Sequence, residues 1–180
     1  MSVPGLAREE LLRIAPGRET IVTVGKFDGV HRGHQHLVSW LLWRAREAGL
    51  ASVVLVLHPN PITVLRPGTR VSYLTGLEER LELLRSLGPD RVGVLSFTSE
   101  LALVSAADFV RLLVETLRMR VLVMGPDMAL GRNREGTVET LSAIGRELGF
   151  RVEVAPLLRE SGKKVGSSAV REALARGDME

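Results

Sequence analysis

The sequence predicts an α/β fold: an open, mostly parallel five-stranded sheet with helices on both faces. Three observations predict it. Residues 21–24, 52–57, 92–95, 121–124 and 152–155 are continuously apolar runs rich in β-branched residues, as expected of strands covered on both sides. Helical periodicities lie between the runs. Successive strand starts are 31, 40, 29 and 31 residues apart, about one strand–helix–strand unit each, which implies right-handed crossovers.

Taken in order, the first strand is followed by Leu37, Leu41 and Ala45 at four-residue spacing, with Gly49 as the stop. After the second strand comes a Pro-rich stretch, 58–73, then Leu77, Leu81 and Leu84 before Gly88. The second crossover is thus about ten residues longer than the others, and its surplus falls where parallel sheets bind ligands. Ser105 followed by Asp108 marks a helix start, and Phe109, Leu112, Leu113 and Leu117 form its stripe. Val138, Leu141, Ile144 and Leu148 form the last stripe, closed by Gly149. One domain over residues 1–180 is expected.

Composition excludes several classes. With 45% hydrophobic and 25% charged residues the chain is neither disordered nor fibrous. No apolar stretch approaches the roughly 20 residues that span a bilayer, and residues 1–10 lack a secretory signal pattern. No cysteine is present, which removes thiol catalysis and thiolate metal sites. The expectation is a soluble, cytoplasmic protein without a membrane partner. The net charge of +3 comes from scattered basic residues and only seven aromatics accompany them, so no nucleic-acid surface is expected.

The chemistry concentrates in residues 23–35, Thr-Val-Gly-Lys-Phe-Asp-Gly-Val-His-Arg-Gly-His-Gln, at the junction of first strand and first helix. Gly25, Gly29 and Gly33 permit tight turning and close approach of a ligand. The helix directs its free N–H groups and positive dipole end at the turn, which favours phosphate. His31 and His34 share a face there and Lys26 adds a cation. A zinc pair and plain helix capping by surface histidines compete with this reading, as does a dinucleotide fingerprint, but G-x-G-x-x-G is absent. Phosphate binding accounts for the segment best.

Gly25-Lys-Phe-Asp-Gly-Val-His-Arg-Gly-His34 resembles the H-x-G-H signature of the nucleotidyltransferase superfamily, in the extended form G-x-F-D-G-x-H-x-G-H of the bacterial FMN adenylyltransferase (FAD synthetase) domain. Further matches follow in family order: Pro59-Asn-Pro61, Leu74-Thr75 with Glu79-Arg80, 105–110, Gly125-Pro-Asp127, and Ser167-Ser168 with Arg171. The resemblance spans roughly residues 19 to 178. It implies a Rossmann-like nucleotidyltransferase fold and transfer of AMP from ATP to FMN, giving FAD and pyrophosphate, with Mg²⁺ accompanying ATP. It implies His31, His34 and Lys26 as catalytic. Gly25, Phe27, Asp28, Gly33, Gly125, Asp127, Ser167, Ser168 and Arg171 would bind the nucleotide, Asp127 near the ribose and the serine–arginine element at the β- and γ-phosphates. Pro59, Asn60, Pro61, Leu74, Thr75 and Met128 would face the acceptor. No residue is assigned to the metal.

The sequence departs from the family pattern chiefly on the acceptor side. T-F-x-P-H-P reads Val56-Leu-His-Pro-Asn-Pro61, and D-F-R-F-G reads Asp127-Met-Ala-Leu-Gly131. Gly166 and Ala169 replace a serine and a commonly basic residue of S-S-T-x-I-R. The expectation is a single nucleotidyltransferase domain over residues 1–180, without the riboflavin kinase domain of the bifunctional bacterial enzymes. Two other functions stay open: the same transfer to another phosphorylated or carboxylated acceptor in a specialised pathway, and a non-catalytic nucleotide- or flavin-binding module.

Overall fold

The structure, a computed structural model, describes residues 3–156 and 158, with the backbone alone of 159–160 and 163–164. Five parallel strands form the sheet: β1 (Thr20–Gly25), β2 (Ala51–His58), β3 (Arg91–Ser96), β4 (Met119–Met124) and β5 (Arg151–Val154). The order is β3-β2-β1-β4-β5. Val22 pairs with Val53 on one side and with Leu122 on the other. The chain winds outward from β1 in one direction and from β4 in the other, so the switch point lies between them. That is where an open parallel sheet offers a crevice at its strands' carboxyl ends. A separate two-residue hairpin, β6 (Arg159–Glu160) with β7 (Lys163–Lys164), is antiparallel.

Each face of the sheet carries its own core. On one face α2 (Arg32–Ala48) and α4 (Leu77–Ser86) bury Val38, Leu41 and Leu84 against Ile21, Val54, Val56 and Val121. On the other, beyond the single turn α5 (Ser99–Ala102), α6 (Ala106–Leu117) and α7 (Val138–Leu148) bury Leu113 and Leu141 against Val22, Val24 and Leu122. The helix signals read from the sequence are present. Ser105 caps α6 by accepting from the Asp108 amide at 3.1 Å, and Gly49 and Gly149 end α2 and α7 in the left-handed conformation.

Two expectations are corrected. Coverage on both faces holds for β1, β2 and β4 but fails for β3 and β5, because these are the sheet's two edges; Val154 in β5 is 40% exposed. Residues 5–14, left without an element, form helix α1 (Gly5–Ile14). Its amino end offers Pro4 and no side-chain cap or acidic first turn, so the usual start signal is missing. Packing supplies what local signals do not. Ala7 and Leu11 are buried, Ile14 lies over Gly93 where a side chain would collide with it, and the Glu10 carboxylate accepts from both the amide and the hydroxyl of Ser96 in β3. The long second crossover contains α3 (Pro61–Leu65), capped by Asn60, whose side chain accepts from the Ile62 amide at 3.3 Å.

Candidate functional site

The loop from β1 to α2 is built on left-handed backbone. Phe27 has φ 49°, Gly29 79° and Val30 38°. For a β-branched valine and a phenylalanine this is strained, and such strain persists only where the surroundings hold it. Phe27 folds its ring back over Gly25, where a Cβ would lie 2.9 Å from the ring. The room above Gly25 is therefore filled by the protein's own aromatic ring. Beyond the turn, His31 occupies the N-cap position of α2. Its carbonyl accepts from the amides of His34 and Gln35 at 2.8 and 3.0 Å, while its side chain makes no cap bond. Capping by the histidine side chain is thereby ruled out.

The two imidazoles stack, ring centroids 3.7 Å apart and planes 21° from parallel, with Phe27 5.2 Å from His34. Burial pushes His34 down to about 3, helped by repulsion from His31 whenever that ring is protonated and by the charges of Arg80 and Lys26. Burial also lowers His31, against the opposing pull of Asp28. Near pH 7 both rings are neutral, each with one N–H to donate and one nitrogen to accept. The Nδ1 atoms of both are buried and lack a hydrogen-bond partner among the described residues. Such a pair can donate hydrogen bonds to phosphate oxygens on which negative charge develops.

Beneath the loop, Asp28 is buried. One of its carboxylate oxygens accepts from the amides of Leu74 and Thr75, at 2.9 and 3.3 Å, and from Arg80 at 3.3 Å. Thr75 answers with its hydroxyl, which accepts from the Gly29 amide at 3.1 Å. The long second crossover is thus fastened to the histidine loop, as strands β1 and β2 lie side by side. Tyr73 Oη accepts from the Asn60 amide at 2.9 Å, next to His58 and Pro59. Asn60 itself is buried and engaged as a helix cap.

The loop after β4 forms a concavity lined by Asp127, Met128, Ala129, Arg134, Thr137 and Glu139, among others. Arg134 donates to the Asp127 carbonyl at 3.0 Å. Leu130 takes no part, being buried in the core and bridged to Gly136. Of the departures from D-F-R-F-G, only those at 128 and 129 therefore face the concavity.

The structure brings Gly25, Phe27, Asp28, Gly33, His31 and His34 to the first loop, with Leu74 and Thr75 bonded to it. Phe27 and Asp28 are buried under that loop, whereas Lys26 and Pro59 are exposed and Pro61 opens α3. Gly125, Asp127 and Met128 follow the neighbouring strand β4. Ser167, Ser168 and Arg171 lie outside the described residues. Sequence reasoning left Arg80, Tyr73 and Arg134 without a site role. Arg80 was detectable: it stands three residues after Leu77 and four before Leu84, on the buried stripe of its helix.

Comparison with known proteins follows the same outline. The family model described as FAD synthetase matches residues 14–169. The bifunctional riboflavin kinase/FMN adenylyltransferase of Escherichia coli strain K12 is 36% identical over 166 residues, covering 92% of this chain and 53% of its own. Its namesake from Pseudomonas fluorescens is 38% identical over 164 residues, covering 91% and 52%. The chain therefore spans about half the length of the curated relatives it matches. A solved structure described as macrolide-efflux protein from Streptococcus pneumoniae superposes with a TM-score of 0.84 at 24% identity, over 98% of this chain and 57% of that one, a likeness of fold alone. With the left-handed histidine loop at the switch point and a match over most of its length, the chain belongs to the FAD synthetase family.

Proposed function

We propose that this chain transfers the adenylyl group of ATP to FMN. An FMN phosphate oxygen attacks the α-phosphorus of ATP, the bond from that phosphorus to the bridging oxygen breaks, and pyrophosphate departs as FAD forms. The observation that carries the reading is the neutral, stacked pair His31 and His34 at the amino end of α2, beside the sheet's switch point. In-line phosphoryl chemistry needs positioning and charge stabilisation more than covalent catalysis. Two fixed N–H donors supply the second, and Lys26 adds a full charge at the rim. Asp127, Gly125 and Gly33 face the nucleotide in this reading, with Ser167, Ser168 and Arg171 at the departing phosphates. Pro59, Leu74, Thr75 and Met128 border the acceptor, while Phe27, Asp28 and Asn60 shape the loops from below.

Mg²⁺ fits as a companion of the triphosphate. Among the described residues no three His, Cys, Asp or Glu side chains group as a metal cage, and Asp28 is engaged by Arg80 and two amides. Mg²⁺ is commonly held through substrate phosphates in such sites, where it neutralises developing charge. No helix of the described residues is long and apolar enough to cross a membrane, and we place the reaction in the cytoplasm, with ATP as donor.

A second reading, the same transfer to another phosphorylated acceptor, draws support from Met128 and Ala129 on the concavity, where stacking surface for a flavin ring is missing. The test is product analysis after mixing ATP, Mg²⁺ and FMN with the protein. FAD and pyrophosphate in equal amounts are expected. Pyrophosphate release only with other phosphorylated acceptors overturns the choice of FMN, and no release with any overturns the transfer.

A further inference from the structure

We propose that Arg80 is a positioning residue, locking the histidine loop and the second-crossover loop into one unit that presents nucleotide and acceptor in fixed register. The inference rests on the function proposed above.

Arg80 is 1% exposed. A guanidinium so deeply buried is costly unless its donors are occupied. Its Nη1 donates to the Lys26 carbonyl at 3.0 Å and its Nη2 to the Thr75 carbonyl at 2.9 Å and to Asp28 at 3.3 Å, while its Nε is buried with no partner among the described residues. Lys26 and Asp28 flank Phe27, where the left-handed backbone begins, and Thr75 belongs to the other loop. One planar group therefore touches both sides of the junction. The direct bonds from Leu74, Thr75 and Gly29 close the same junction around it. The guanidinium also lies 5.3 Å from the centre of the Tyr73 ring, whose hydroxyl holds the Asn60 amide. A continuous path thus runs from the backbone that aims His31 and His34 to the segment flanked by Pro59 and Pro61. Arg80 also adds positive charge near both His34 and His58 and lowers the proton affinity of each. Lysine reproduces the charge but not the fork, which separates the two contributions.

The test uses the full chain, as wild type, Arg80→Lys and Arg80→Met. In the lysine variant kcat/KM falls about 10- to 150-fold for ATP and FMN alike, the range expected from lost charge-assisted hydrogen bonds. Wild-type kcat/KM for either substrate overturns the proposal. In the methionine variant, His34 followed by ¹⁵N imidazole shifts takes up its proton at higher pH than in the wild type. An unmoved titration shows that Arg80 does not stand against the histidine loop and also overturns the proposal. Should neither variant fold, the wild type decides. Adding a non-hydrolysable ATP analogue shifts the Leu74 and Thr75 amide resonances if the loops are one unit; unchanged resonances overturn it. A wild type that makes no FAD overturns the proposed function instead, and the imidazole and amide measurements still judge Arg80.

Discussion

His31 and His34 stack with their ring centres 3.7 Å apart, a separation that two imidazolium ions would oppose strongly in a partly buried site. The arrangement is one of neutral rings. In the proposed reaction it acts by donating hydrogen bonds, and its stacking depends on the rings staying unprotonated.

Removing one ring tests its part in the chemistry. A hydrogen bond to a charged phosphate contributes about 1.5–3 kcal/mol, so His34→Ala slows turnover roughly 10- to 150-fold. Steady-state rates of FAD formation, with far-UV circular dichroism to confirm folding, make the check. Turnover near the wild-type value removes His34 from the mechanism.

Acidification tests the neutral state. In the folded protein His34 titrates near 3, whereas the unfolded chain binds that proton near the ordinary value of 6.5. Between those limits the unfolded state holds more protons, so stability is lost as pH falls through 6.5 towards 3, by about 1.4 kcal/mol per pH unit for one such group. Urea unfolding at pH 7 and pH 5 compares wild type with His34→Gln. The variant loses less stability over this interval, and equal losses show that His34 is not held neutral.

The loop that carries the concavity depends on a glycine outside its lining. Gly131 has φ 73°, and a Cβ there would lie 2.5 Å from the Ala106 amide nitrogen, which is backbone and cannot swing aside. Gly131→Ala therefore destabilises by more than about 2 kcal/mol, combining left-handed strain with displaced backbone. Thermal unfolding measures it, and an unchanged midpoint contradicts the packing described.

Acceptor affinity is the last test. Met128 stands on the concavity where the family pattern has an aromatic ring. Aromatic stacking contributes about 0.5–1.5 kcal/mol beyond area burial, so Met128→Phe tightens FMN binding about 2- to 13-fold and leaves ATP binding unchanged. Calorimetric titration of both ligands reads the result. Equal or weaker FMN binding shows that residue 128 does not meet the flavin.

Much of this was legible in the sequence. All five strands of the sheet and the helices α2, α4, α6 and α7 were visible, because their apolar periods and glycine stops are local properties. Gly25 to His34 marked the candidate loop for the same reason. Helix α1 escaped because its stability comes from packing on β3 and not from a capping signal. The roles of Asp28 and Asn60 escaped because composition does not show where a carboxylate or amide points. Asp28 turns inward to Arg80 and two amides 46 and 47 residues away, and Asn60 turns to cap α3. Leu130 looked like a pocket residue by position, yet its bridge to Gly136 turns it into the core.

Helix α1 also covers one border of the sheet. A sheet that ends in β3 presents a border strand whose unpaired amides could recruit a strand from another chain. The Glu10 carboxylate already occupies the Ser96 amide, and Ile14 covers the strand at Gly93. An incoming strand would have to displace a charged side chain and a packed apolar one together. The family match begins at residue 14, where this helix ends. The segment ahead of it thus blocks strand addition along β3 by packing on the strand, in place of a charge or proline set within the strand itself.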